Sequence, residues 1–130
     1  MLGLSGWKPL FFYTAAFLNV AILPKHLKTG GTKIKGAIKA IPSDPEYSIP
    51  KAIVKTAWDG CNSWLLTFGL LNLKWAKYGA PELMEERLAV WVNLIISLYI
   101  GIPYFQVGMK LPLFTLWGGP ILTVIAMLLA

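Results

Sequence analysis

The sequence predicts an all-α membrane protein: four transmembrane helices in an antiparallel bundle, with a short basic amphipathic helix in the first loop. Three observations lead there. Hydrophobic residues make up 56% of the chain and charged residues only 14%, where an average soluble domain carries roughly 25% charged residues. The mean hydropathy is +0.60. The charges are also crowded together, leaving four long stretches almost free of them. At 130 residues, with no internal repeat, the chain reads as a single integral membrane domain, 1–130.

The spans are taken in chain order. The first, about 4–23, holds the 16 uncharged residues between Lys8 and Lys25. Its length resembles that of a signal peptide, but Met1 to Lys8 is a poor cationic leader. Pro24-Lys25-His26 comes next with no small-residue cleavage site, so the segment reads as a retained span. The second, about 53–73, contains Thr56 to Leu73, 18 residues whose only charge is Asp59. The third, about 88–107, lies in the 22 uncharged residues from Leu88 to Met109. The fourth, about 111–130, is 20 residues without a charge. About 20 mostly apolar residues cross a bilayer core, and fewer suffice when the flanking residues snorkel. Trp7, Trp75 and Trp117, with Tyr13, Tyr47, Tyr78 and Tyr104, fall near span ends, where aromatic belts form. In the fourth span, Trp117-Gly118-Gly119-Pro120 predicts a kink and a close helix approach.

Charge gives an expected orientation. The 24–52 loop, the start of the second span and the 108–111 turn carry Lys25, Lys28, Lys33, Lys35, Lys39, Lys51, Lys55 and Lys110. The other side carries Lys8, Lys74, Lys77 and Arg87. The positive-inside rule makes the long loop cytosolic and sends both termini to the opposite side. Within that loop, Thr32 is placed to cap a helix over Lys33 to Ile41, which Pro42 ends. Ile34, Ala37, Ile38 and Ile41 form its apolar face and Lys33, Lys35 and Lys39 its basic one. Such a helix rests on a bilayer with its lysines on anionic headgroups. The net charge of +6 therefore points to a membrane surface, and no nucleic acid is expected. Short spans suit a thin bilayer such as the endoplasmic reticulum or another internal membrane.

Asp59 is the residue that draws attention to function. It is the only acidic residue in any long apolar segment, and a carboxylate at a helix centre in hydrocarbon costs at least ~2.5–3.5 kcal/mol on insertion scales. On a helix Asp59, Asn62 and Ser63 share a face. Asn93, Ser97 and Tyr104 line one face of the third span, and Asn19 stands on the first. Two polar stripes on neighbouring helices economically face each other. The expected site is therefore Asp59 with Asn62 and Asn93 as the acid/base group and its hydrogen-bonding partners. Trp58, Ser63, Ser97 and Tyr104 would contact a substrate. Against this stands Lys55, one turn before Asp59 and positioned for an ion pair.

Several chemistries are excluded. Cys61 is the only cysteine and His26 the only histidine. No disulfide framework, Cys-x-x-Cys pair, thiolate metal cluster or Ser-His-Asp triad is available. No metal or cofactor is expected. His26, among lysines, reads as solvated or in contact with headgroups. Gly30-Gly31-Thr32-Lys33 lacks the spacing of a phosphate loop. Glu82, Glu85 and Glu86 suit a helix amino terminus. The layout of four spans with a long basic first loop resembles the small glutathione-linked membrane enzymes of eicosanoid metabolism. Those carry an Arg…Asn…Glu pattern in the second span, where this chain has Lys55-Thr56-Ala57-Trp58-Asp59-Gly60-Cys61-Asn62. With Arg87 its only arginine, the chain does not carry that pattern.

Three function classes fit these features. The first is an accessory or pathway-helper protein of an internal membrane. The second is a small isomerase- or cyclase-type enzyme acting on a lipophilic substrate such as a sterol or terpenoid, with Asp59 as acid/base. The third is a transporter of a lipophilic cation or proton, assembled as a homo- or hetero-oligomer. They differ in where Asp59 sits: paired with Lys55 at the surface, inside a closed apolar cavity, or at a water-flanked interface.

Overall fold

The computed structural model describes residues 4–129, so Met1 to Gly3 and Ala130, the last residue of the expected fourth span, lie outside it. All regular structure among the described residues is helical. After a 3-10 turn over Leu4–Trp7, helix α1 runs Lys8–Ala21 and α2 runs Leu23–Thr29. A π-helical turn at Gly30–Ile34 leads into α3, Lys35–Ala40. These pieces form one continuous rod. Pro24 sits in the first turn of α2, where its missing N–H breaks little, and the His26 N–H bonds the Ile22 carbonyl at 2.9 Å across the junction. Helix α4, Ser48–Tyr78, is the longest at 31 residues. It ends at Gly79, whose φ of 116° favours glycine. Helix α5 covers Met84–Gln106, with Glu85 and Glu86 in its first turn. The last rod joins α6 (Lys110–Leu113), a π-helical turn at Phe114–Gly118 and α7 (Gly119–Leu128).

Three helices are long and apolar enough to cross a membrane: Lys8–Ala40, Met84–Gln106 and Lys110–Leu128. Helix α4 is not one of them, although its length is ample. Asp59, Asn62 and Asn72, with Lys51, Lys55, Lys74 and Lys77, dilute its apolar content.

The region expected as a loop over 24–52 is mostly helix. Its non-helical part shrinks to residues 41–44 and the 3-10 turn at Pro45–Tyr47. The first span, expected over about 4–23, instead continues into a second helical segment with Pro24 in its first turn. The basic helix expected over 33–41 is therefore the far end of the first rod, not a separate element. Its Ile34, Ile38 and Ile41 are half-buried and its lysines exposed.

The rods pack by close approach at glycines. A Cβ at Gly69 of α4 would lie 2.7 Å from Val20 Cγ2 and 3.7 Å from the Ala16 carbonyl of α1. Gly119 faces Asn19 and Ala15 of α1 from α7. Gly101 of α5 receives Trp117, whose Nε1 donates to the Leu98 carbonyl at 3.3 Å. Small residues at interfaces serve helices that lack a hydrophobic drive to associate in lipid. The apolar core sits at the end of the bundle holding Phe12, Trp75, Val90 and Met127, where Phe12 meets Trp75 at 5.9 Å. Polar side chains in this interior are bonded: Thr123 Oγ1 donates to Asn72 Oδ1 at 2.7 Å, and Asn72 Nδ2 to the Phe68 carbonyl. At the neighbouring connector Lys74 pairs with Glu86 at 2.5 Å, and Arg87 Nε donates to the Pro81 carbonyl.

Burial is lopsided. None of the residues from Val20 to Trp64 is buried, nor from Ile102 to Phe114. The rods are closely packed at one end and open at the other.

Gly101→Val should lower stability by about 1–3 kcal/mol, because the added side chain overlaps the Trp117 indole and displaces it from the Leu98 carbonyl. Gly60→Ala, with nothing within 4 Å of the new methyl, should hold or raise stability. Thermal unfolding of the two purified variants in the same detergent measures the contrast.

Candidate functional site

The open end contains a cavity of about 250 Å³. Its walls come from all four rods. Ile22, Lys25, His26 and Thr29 keep i, i+3, i+4, i+7 spacing on the first rod, and Trp58, Cys61, Trp64 and Leu65 make the matching face of α4. Ile100 and Tyr104 come from α5, and Lys110, Leu111, Thr115 and Leu116 from the last rod. The lining is mostly apolar with a few polar groups, as small-molecule sites are. A second groove of about 400 Å³ adjoins it and shares Ile22, Lys25, Leu111 and Thr115, adding Leu18 and Phe114.

Two close contacts bracket the cavity along the first rod and α4. One is Gly69 against Val20. The other is Trp58, whose indole lies against Gly30; a Cβ there would stand 2.5 Å from Nε1. That nitrogen is buried without a hydrogen-bond partner among the described residues. The same indole stacks on His26, ring centres 4.0 Å apart and planes 2° from parallel. His26 Nδ1 lies 2.8 Å from Asn62 Oδ1. An amide oxygen only accepts, so Nδ1 carries the proton and, in the neutral ring, Nε2 keeps its lone pair for another partner.

The expected site residues scatter. Asp59 is exposed and forms an ion pair with Lys55, one turn back on the same helix. It does not line the cavity. Ser63 is exposed as well. Asn62 bonds His26 instead of Asp59. Asn93 and Ser97 are buried together, and the Asn93 amide oxygen accepts from Trp64 Nε1 at 2.9 Å. Ser97 Oγ lies 3.5 Å from the same oxygen. These two brace Trp64 from behind, and Trp64 lines the cavity. Trp58 and Tyr104 also line it. Asn19 binds the Ala15 carbonyl of its own helix. The two polar stripes therefore meet in part: Asn93 and Ser97 reach α4 through Trp64, while Asp59 and Ser63 face elsewhere.

His26 is the residue that sequence reasoning misses. The signal is present, since Asn19, Ile22, His26 and Thr29 keep helical spacing straight through Pro24. Lys25 and Lys110 also line the cavity, though their lysine-rich surroundings mark them only as surface charge. Among the described residues no group of three or more His, Cys, Asp or Glu side chains is arranged to hold a metal ion. Comparison with protein-family models, with curated proteins and with solved structures finds no match.

Asn93→Ala should cost about 1–2 kcal/mol, since it leaves the Trp64 donor unpaired next to apolar surroundings. Asp59→Asn should leave the melting temperature unchanged, because an exposed i, i+4 pair contributes little. Parallel melts in detergent, monitored by tryptophan fluorescence, separate the two cases.

Proposed function

We propose that the chain is a four-span antiparallel bundle in an internal membrane, and that it works as an accessory protein holding a lipophilic small molecule in the cavity between its rods. The observation that carries this reading is the separation of the carboxylate from the cavity. Asp59 is engaged by Lys55 on the outside, while the apolar pocket is walled by tryptophan, leucine and isoleucine. An enzyme using Asp59 needs the two together, and transport through Asp59 gains no support from a surface ion pair.

The fourth span in this reading is the inner part of α4. Its 31 residues measure about 46 Å at 1.5 Å each, against a hydrocarbon core of about 30 Å. The apolar half towards Tyr78 fits within the core, and the half with Lys51 and Lys55 extends beyond it. The first rod has the same proportions, and its basic end with Lys33, Lys35 and Lys39 extends past the core on the cytosolic side, where attraction to an anionic surface is worth about 1 kcal/mol for each lysine that reaches it. A thin bilayer such as the endoplasmic reticulum suits the remaining lengths.

One observation favours a second reading, an isomerase- or cyclase-type enzyme on a sterol- or terpenoid-like substrate. His26 and Tyr104 both line the cavity, and His26 has Nε2 unengaged, so acid/base groups are present without Asp59.

Two experiments test these readings. In a Cys61→Ser background, single cysteines at Ser43 and Gly79 should react with an impermeant maleimide from opposite faces of sealed vesicles; reaction from one face would remove the span in α4. Native mass spectrometry of the protein drawn directly from its membrane should find a lipophilic species that a cavity-filling Leu65→Trp variant lacks. In cells, a changed lipophilic metabolite profile with His26→Gln at normal protein abundance would favour the enzyme instead.

A further inference from the structure

Resting on the cavity as a ligand site, we propose that its occupant is a single-chain anionic amphiphile, with its carboxylate or phosphate head at Lys25 and Lys110 and its chain against Trp64, Leu65 and Leu116. The charge pattern carries the inference. Both lysines line the cavity, and no aspartate or glutamate lines it or the adjoining groove. Neither lysine has an acidic partner among the described residues. The nearest carboxylate along α4, Asp59, is taken by Lys55.

Depth agrees with that placement. Lys8 and Lys25 are 17 residues apart on one continuous helix, about 26 Å. With Lys8 at one interface, Lys25 stands near the opposite one, and Lys110 opens the last rod. The two ammonium groups therefore lie at headgroup level, and the apolar wall below them lies in the hydrocarbon. An amphiphile needs this order of surfaces, with its head at the lysines and its chain buried below.

Size and access select one chain. The cavity of about 250 Å³ lies below the usual range for ligand sites, roughly 300–1,000 Å³, so by itself it takes part of one chain, and the remainder extends along the adjoining groove of about 400 Å³. The groove past Leu18 and Phe114, sharing Lys25 with the cavity, gives a lateral route by which a chain can slide in from lipid while its head stays at the interface. Thr29 and His26 add hydrogen-bonding groups on the same wall.

Cys61, the only cysteine, lines the cavity and reports on its occupancy. Full-length protein in phosphatidylcholine nanodiscs is alkylated with N-ethylmaleimide in the presence of dodecanoate, dodecyl phosphate, dodecanol or dodecyltrimethylammonium. Either anion should protect Cys61 at about tenfold lower concentration than the alcohol, with the cation weakest. The more protective anion identifies the head as a free carboxylate or a phosphate monoester. Lys25→Gln with Lys110→Gln should abolish the preference, whereas neutralising Lys33, Lys35 and Lys39 should leave it. Equal protection by alcohol and anions, or a preference surviving in the Lys25/Lys110 variant, overturns the inference and leaves the cavity reading standing. No protection by any of the four probes, with Leu65→Trp alkylated as fast as the wild type, overturns the cavity reading itself.

Discussion

The structure depends on how closely the first rod lies to α4 and α7. In hydrocarbon, apolar side chains gain little by leaving lipid for protein, so helices associate where their backbones approach and dispersion contacts accumulate. Gly69 and Gly119 allow that approach against Val20, Ala16, Ala15 and Asn19. Asn19 turns its amide nitrogen to the Ala15 carbonyl of its own helix at 2.9 Å, which leaves no donor stranded in the seam. Thr115 Oγ1 donates to the Leu18 carbonyl at 3.1 Å and ties the last rod to the same stretch.

The cavity is the space left where this close contact stops. Beyond Val20 the first rod presents Ile22, His26 and Thr29, and α4 presents Leu65, Trp64, Cys61 and Trp58. None of these is small enough for a seam of the glycine kind, so the rods separate. They meet again at His26, which bonds Asn62 and stacks on Trp58, and at Gly30, where the missing side chain admits the same indole. The π-helical turn begins at that same glycine, and a residue inserted into a helical turn re-aims the rest of the helix. A tight contact at each end and bulky residues between produce a hollow without any special device. Asn93 and Ser97 then set one wall through Trp64, since a bonded indole cannot swing into the space.

Much of this is legible in the sequence, but unevenly. Helical class, apolar rods and the close approach at Gly118-Gly119 follow from composition and local chemistry, and the structure has them. Two helices run longer than their apolar parts suggest. Pro24 looks like a terminator because proline fits poorly in a helix interior, yet the first turn of a new segment costs it nothing. That one ambiguity hides His26, which keeps helical register with Asn19 and Ile22 only if the rod continues. At Asp59 the emphasis errs in the opposite direction. Its anomaly depends on depth, and depth depends on where α4 begins. With α4 starting at Ser48, Asp59 lies about three turns in, exposed and paired with Lys55. Periodicity gives faces, but it cannot say how far a helix protrudes from a bilayer.

The same reasoning changes the meaning of the basic charge. Lys28, Lys33, Lys35, Lys39 and Lys51 lie on the two long helices and line neither the cavity nor the groove. Lys25 and Lys110 differ because each, though exposed, also lines the mostly apolar cavity. Beside apolar walls a cation's field is screened less than on an open surface, and an opposite charge bound between them is attracted more strongly. Neutralising it from within the protein would require a carboxylate on the lining, and the one carboxylate in reach along α4 is turned outward to Lys55. The register of α4 thus matters for what it removes. It sets Trp58, Cys61, Trp64 and Leu65 on the lining and Asp59 on another face, which leaves the two lysines as the dominant charges beside the cavity.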